Sequence, residues 1–326
     1  MIDDFHKNLQ HLIIDYPSGL TVNSALAGKY YNIEDSQIVV GNGAAELIKV
    51  LLEQSQGKVG VIRPTFEEYP NRLAVERVVC MDTEDRGYKY NAQDIIEYFD
   101  DKHLSIIIII NPDNPSGNYL SHHDMMLLCD WSMAKGIQLI IDESFSDFAN
   151  AESVTSVLKQ DVLNSYKNLI VIKSISKSFG VPGVRLGILA TANKKLVSSI
   201  KQKVSIWNIN SFGEYFLQII EKYKSDYFDA LNKFYSVRDK LENNLLQIDY
   251  LKVLPSQANY FMIELLHDVT AIELCGYLLN NHSILIKDLT AKKGINKQYI
   301  RIAVKTEKEN DELIRALEDY KIDKGI

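Results

Sequence analysis

Four short segments carry side chains that could do chemistry together. In the first, Ser174-Ile175-Ser176-Lys177-Ser178-Phe179-Gly180 follows the apolar run Leu169 to Ile172 and leads through Gly183 to Arg185. Ser174, Ser176 and Arg185 are groups suited to hydrogen-bond a phosphate. Lys177 has apolar neighbours, and an amine partly withdrawn from water has a lowered pKa and becomes a usable nucleophile. In the second, the isoleucine run Ile106 to Ile110 enters Asn111-Pro112-Asp113-Asn114-Pro115-Ser116-Gly117. The prolines and glycine force a rigid turn, and Pro115 holds Asn114 in a non-helical pose. In the third, Asp142 stands at the mouth of the run Ile137 to Ile141 and can pair with a cationic ligand. In the fourth, Gly41-Asn42-Gly43-Ala44-Ala45-Glu46 opens a helix whose free N–H groups make a second phosphate cradle. Glu46 takes the place of a third glycine, so this is not the dinucleotide fingerprint, and a nicotinamide-dependent oxidoreductase is disfavoured.

A lysine nucleophile, a carboxylate, an amide side chain and a double anion cradle are the set that pyridoxal phosphate needs. Its aldehyde reacts with the lysine, its ring nitrogen needs a carboxylate, and its phosphate needs an anchor.

These segments must be positioned by the elements around them. Val59 to Ile62, Val78 to Met81, Ile106 to Ile110, Ile137 to Ile141, Leu169 to Ile172 and Leu186 to Ala190 read as buried strands. Ala44 to Gln54, Ser121 to Lys135 and Asn193 to Lys203 read as helices, the second with Ser121 as N-cap and Asp124 three residues on. Alternating strands and helices indicate an α/β fold with a mostly parallel sheet, whose ligands sit at the carboxyl ends of the strands. Beyond residue 205 a long helical stretch, Ser211 to about Leu246, precedes short strands at Tyr260 to Ile263, Ile284 to Lys287 and Tyr299 to Val304, and a last helix at Glu307 to Tyr320. The expected organisation is a short N-terminal arm (1–30), a large cofactor-binding α/β domain (31–240) and a small C-terminal α+β domain (241–326).

Composition narrows the classes further. The 326 residues carry 36 Lys and Arg against 43 Asp and Glu, a net charge of −7, which disfavours nucleic-acid binding. Three scattered cysteines, Cys80, Cys129 and Cys275, give neither a disulfide framework nor a thiolate metal site, and the seven histidines show no metal-ligand spacing. No apolar run approaches a membrane span and the N-terminus has no signal-peptide pattern, so a cytoplasmic protein with no metal and no membrane partner is expected.

From about Tyr16 to Arg301 the chain resembles the fold-type I pyridoxal phosphate aminotransferases, in particular the histidinol-phosphate aminotransferase subgroup. The motif S-K-[SA]-F-G-x-x-G-x-R-x-G is present as Ser176 to Gly187, and N-P-x-N-P-[TS]-G as Asn111 to Gly117. The resemblance implies that Lys177 carries the cofactor and that Ser174, Arg185 and the backbone of Gly43, Ala44 and Ala45 hold its phosphate. It further places Asn114 on the cofactor's ring oxygen, Asp142 on its pyridine nitrogen, and the ring of Phe66 against it. Arg301, on the strand Tyr299-Ile300-Arg301-Ile302, would bind the substrate carboxylate. Tyr16 would reach the neighbouring subunit's cofactor phosphate, which makes the active unit a homodimer.

The chain departs from the family pattern in three places. Asp142-Glu143-Ser144-Phe145 ends in phenylalanine where many relatives have tyrosine, a feature shared with relatives that decarboxylate threonine phosphate. Lys287 stands where histidinol-phosphate enzymes have a phosphate-binding arginine, and a point charge recognises anions differently from a planar fork. The N-terminal arm is short, as in a domain of a longer polypeptide. The expected function is therefore amino transfer through Lys177 between a small anionic amine, phosphate- or phosphonate-bearing, and a keto acid or aldehyde. The alternatives are decarboxylation of a phospho-amino acid, a 2-aminoethylphosphonate aminotransferase domain of a fusion protein, and a non-catalytic ligand-binding domain.

Overall fold

Continuous runs of isoleucine, valine and leucine can be buried on both faces only in the middle of a covered sheet, and that is where they lie. The computed structural model describes residues 1–150 and 156–326. Seven strands, β1 (Ile38–Asn42), β2 (Val59–Arg63), β3 (Val78–Asp82), β4 (Ile106–Ile110), β5 (Gln138–Asp142), β6 (Leu169–Lys173) and β7 (Leu186–Ala190), form one sheet in the order β1-β7-β6-β5-β4-β2-β3. All neighbours are parallel except that β7 runs against both β1 and β6. A second, antiparallel sheet has the order β10-β11-β9-β8, with β8 (Leu251–Val253), β9 (Tyr260–Leu265), β10 (Lys287–Asp288) and β11 (Tyr299–Ala303).

The helices α1 (Ile2–Ile14), α2 (Leu20–Tyr31), α3 (Ala44–Glu53), α4 (Ala92–Phe99), α5 (His122–Lys135), α6 (Gln160–Ser165), α7 (Ile175–Ser178), α8 (Lys194–Lys203) and α9 (Ser211–Ile219) accompany the large sheet. The long α10 (Lys224–Leu245) leads to the small sheet, which α11 (Ala271–His282) and α12 (Glu307–Lys324) cover. Two apolar clusters lie on opposite faces of the large sheet. One contains Ile107, Ile109, Leu139 and Ile141, the other Ile106, Ile108, Ile110 and Ile140. Ser121 caps α5 reciprocally with Asp124, as expected.

The parallel strands end along one edge, and the register fixes what stands there. Ile110, Asp142 and Ile172 are level across β4, β5 and β6. Because β7 is reversed, Arg185 enters the sheet at the same edge, and its carbonyl accepts from Gly43 N at 2.9 Å. Gly41 and Gly187 face each other across β1 and β7. A Cβ on Gly187 would fall within van der Waals distance of Ala44 N and Gly43 C, so only glycine lets the start of α3 approach the strand.

Two expectations needed correction. The run Ile284 to Lys287 forms a ladder only at Lys287 and Asp288. Ser283 is left-handed and Ile284 N donates back to Leu278 O, so residues 284–286 leave α11 as a helix exit, with Ile284 and Ile286 packed on the small core. The edge strands β1 and β8 were not anticipated, the first because its apolar run breaks after three residues into Gly41-Asn42.

Gly187→Ala is expected to push the first turn of α3 away from β7. Overpacking of this kind costs about 1–3 kcal/mol, so the variant should melt lower and bind pyridoxal phosphate more weakly, measured by thermal unfolding and by equilibrium dialysis.

Candidate active site

Lys177 sits on the short α7, directly after β6, and is half-buried. Its Nζ lies 4.5 Å from the centre of the Phe145 ring and 5.2 Å from that of Phe66. Burial holds its pKa below the usual lysine value. Asp142 pulls the other way, and Arg301 and Arg185 add to the depression. The amine is therefore more often neutral at a given pH than an exposed lysine, which is what a nucleophile or proton acceptor requires.

Asp142 is buried, and both of its oxygens are engaged: Oδ1 accepts from Ser144 N at 2.9 Å and Oδ2 from Tyr69 Oη at 2.8 Å. Tyr69 fixes the position of the carboxyl group. Asn114 is buried, and its Oδ1 accepts from Arg301 Nη1 at 2.7 Å. The loop that presents it is stapled by Asn111, whose side chain bonds both the carbonyl and the N–H of Leu120. It is anchored again by Tyr260 Oη, which donates to Asp113 O at 2.7 Å. Burial raises the Asp113 carboxyl to about 6, against bonds from Ser116 that favour its charged form.

The phosphate cradle expected from the sequence is assembled. Gly43 has φ +75°, and the guanidinium of Arg185 lies against it, since a Cβ there would be 2.6 Å from Arg185 Nη2. Arg185 itself has φ +62°, strained for a residue with a side chain. Among the described residues no carboxylate pairs with it. The N-terminus of α3, with Ala44 and Ala45 in its first turn, adds unpaired N–H groups. The backbone N–H of Ser174 donates to Ser144 Oγ, and among the described residues its own hydroxyl has no hydrogen-bond partner. Ser176 Oγ accepts from Leu186 N at 2.7 Å, which ties it to the start of β7 and leaves its O–H as a donor.

A cavity of about 600 Å³ opens beside Lys177, walled by Phe66, Asn114 and Phe145 on the large-domain side and by Lys287, Lys292 and Arg301 from the small sheet and the loop after β10. Arg301 stacks on Tyr260, its guanidinium carbon 4.8 Å from the ring centre. Tyr16 lies elsewhere, 79% exposed and stacked on Trp207 at 4.5 Å. Tyr69 and Lys292 escaped the sequence reading. Tyr69 is three residues after Phe66, which could have signalled it, whereas nothing local marks Lys292.

A buried lysine between aromatic rings, a fixed carboxylate, and an unpaired guanidinium at a helix start match pyridoxal phosphate in chemistry and charge. Ser174, Arg185 and α3 would hold its phosphate, Asp142 its ring nitrogen, Asn114 its ring oxygen and Phe66 its face. Site and fold together define a fold-type I pyridoxal-phosphate enzyme. The model of the family described as aminotransferase class I and II matches residues 6–317, and the chain belongs to that family, which depends on pyridoxal phosphate. The chain is 32% identical over 319 residues to the L-serine phosphate decarboxylase of Sulfurospirillum multivorans, covering 96% of this chain and 80% of the relative. It is 30% identical over 304 residues to the histidinol-phosphate aminotransferase of Clostridium novyi, covering 90% and 80%. Among solved structures, a decarboxylase from Sulfurospirillum multivorans superposes with a TM-score of 0.88 at 29% identity, over 98% of this chain and 90% of that one.

The field around Lys177 is open to test. In the protein freed of cofactor, labelling of Lys177 by an amine-reactive reagent should have its midpoint below pH 10.5. Replacing Arg301 by Met should move the midpoint up, and replacing Asp142 by Asn should move it down, read by peptide mass spectrometry across pH. Tyr69→Phe removes one hydrogen bond to a buried carboxyl group, so the variant should melt lower by the equivalent of about 1–3 kcal/mol, and kcat should fall by about tenfold once the protein is folded and loaded.

Proposed function

We propose that this protein decarboxylates a short phosphorylated L-amino acid, of the serine phosphate or threonine phosphate class, with pyridoxal phosphate. The observation that carries the reading is the set of three cations, Arg301, Lys287 and Lys292, on the wall of the Lys177 cavity, where of the carboxylates Glu67, Glu68 and Asp288 the first two are already paired with Arg63 and Arg72. A phospho-amino acid brings a carboxylate and a phosphoryl dianion, enough negative charge to match them. The similarity to an L-serine phosphate decarboxylase supports the same direction.

Pyridoxal phosphate, when bound, supplies an electron-withdrawing ring that weakens the bonds of the substrate α-carbon. The protein determines which bond gives way. Arg301 grips an anionic group from beyond Asn114. The apolar face of Phe145 offers a departing carboxylate no hydrogen bond, and desolvation of a carboxylate favours its loss as carbon dioxide. Lys177, protonated at Nζ, then delivers one proton to the α-carbon. The product is an amine with one carbon fewer, and no amino acceptor is used.

A second reading is transamination, favoured by the similarity to a histidinol-phosphate aminotransferase. There Lys177 would remove the proton from the α-carbon instead of adding one, and pyridoxal phosphate, when bound, would supply the carrier for the amino group. A phosphonate-bearing amine would suit the same cations. In either reading Tyr16 is assigned to the site of a second copy, so the working unit is a homodimer. Full activity of a stable monomer would remove that assignment.

The two chemistries separate by product. With O-phospho-L-serine or O-phospho-L-threonine and no keto acid, carbon dioxide and the corresponding phospho-amine should accumulate over many turnovers, while the cofactor spectrum returns to its starting form. A single turnover that leaves the pyridoxamine form and a keto product would establish transamination.

A further inference from the structure

The small sheet places two cations in direct opposition. Lys287 and Arg301 are partners across β10 and β11, on the same face. Like charges directly opposite destabilise an antiparallel pair, so this end of the sheet is built to receive an anion. Arg301 is taken up by Asn114 and by the ring of Tyr260. Lys287 is exposed, and an anion there would be screened by water.

Lys292 is different. Its side chain is only 17% exposed, and its Nζ lies 3.7 Å from Glu67 Oε1, beyond hydrogen-bond distance. That same oxygen accepts from Arg63 Nη1 at 2.5 Å. Glu67 is thus already committed to Arg63, and Lys292 feels only the remainder of its charge. Burial pushes the Lys292 pKa down; Glu67 and the buried Asp113 oppose this, and Arg301 and Arg63 add to it. Among the described residues its Nζ has no hydrogen-bond acceptor. The loop that carries it is pinned by Gly294, at φ +85°, where a Cβ would lie 2.9 Å from Arg63 Cβ. Lys292 is therefore a desolvated ammonium, held in place, lacking a full counter-charge, on the wall of the cavity that Lys177 opens into.

We propose that Lys292 is the specificity-determining residue that binds the substrate's phosphoryl group, and that Glu67 stands in for that group until the substrate displaces it. The proposal rests on the phospho-amino-acid reading above. A phosphoryl dianion presents three acceptor oxygens to the three donors of Lys292, whereas Glu67 shares a single negative charge with Arg63. Displacement leaves the Arg63–Glu67 pair intact and transfers only Lys292. Discrimination between phosphorylated and unphosphorylated amino acids then resides in Lys292 and not in Lys287.

The test uses the cofactor-loaded protein and two probes, O-phospho-L-serine and L-serine. Binding is read from the amplitude of the absorbance change on rapid mixing, before turnover. Lys292→Met should weaken O-phospho-L-serine by about 10- to 100-fold, the value of one charge-assisted hydrogen bond, and leave L-serine unchanged. Lys292→Arg should restore most of the loss. Glu67→Gln should tighten O-phospho-L-serine and not L-serine. Equal weakening of both probes by Lys292→Met, or a selective loss in Lys287→Met but not in Lys292→Met, would overturn the proposal while leaving the reading in place. A wild-type protein that binds both probes equally would overturn both.

Discussion

The amine of Lys177 is kept out of bulk water between the rings of Phe66 and Phe145, in the field of Arg185 and Arg301 and opposite Asp142. Almost every other feature of the site serves that position. Desolvation and the two arginines lower the proton affinity of the amine, and Asp142 limits how far it falls. Asp142 is buried, and Tyr69 and Ser144 donate to its two oxygens and fix the carboxyl group in place. A buried cation of this kind is costly unless something pairs with it. On the cavity wall Glu67 and Glu68 are paired with Arg63 and Arg72, which leaves Asp288 against Lys177, Lys287, Lys292 and Arg301, an imbalance that the proposed phospho-amino acid would offset.

The fold converts this requirement into geometry through one sheet edge. Asn111 follows β4, Asp142 ends β5, Ser174 follows β6, and the reversal of β7 brings Arg185 back beside Gly43. Glycine at 187 lets the start of α3 close on that edge, so the dipole of α3 and the guanidinium of Arg185 meet at one point. The small sheet supplies the opposite wall. It is tied to the large sheet's side by Arg301 on Asn114, by Tyr260 Oη on the Asp113 carbonyl, by Asn296 on Glu84 and by the packing of Tyr88 with Leu289, Ile295 and Tyr299.

Much of this is written in local sequence. Ile106–Ile110 and Ile188-centred β7 are legible because both faces of a central strand must be apolar. Lys177, Asn114, Asp142 and the Gly43 turn are legible because each sits immediately after such a run, with prolines and glycines marking the turn. What escaped has a common physical cause. Tyr69 acts on Asp142 across 73 positions of chain, and Lys292 reaches Glu67 across a domain boundary, so neither leaves a local pattern. The hydroxyl of Ser176 also has a role that its neighbours do not reveal: it accepts from a backbone N–H ten residues on. The strand expected at Ile284–Lys287 was misplaced because a left-handed Ser283 spends the first residues of the run on leaving α11.

Membership of the aminotransferase class I and II family fixes the cofactor, and the residues at the sheet edge fix where it must attach. The most direct measurement is borohydride reduction of the protein loaded with pyridoxal phosphate, followed by digestion and peptide mass spectrometry. The account predicts a phosphopyridoxyl mass on the peptide containing Lys177 and on no other. The modification on another lysine, or on none under excess cofactor, would contradict it.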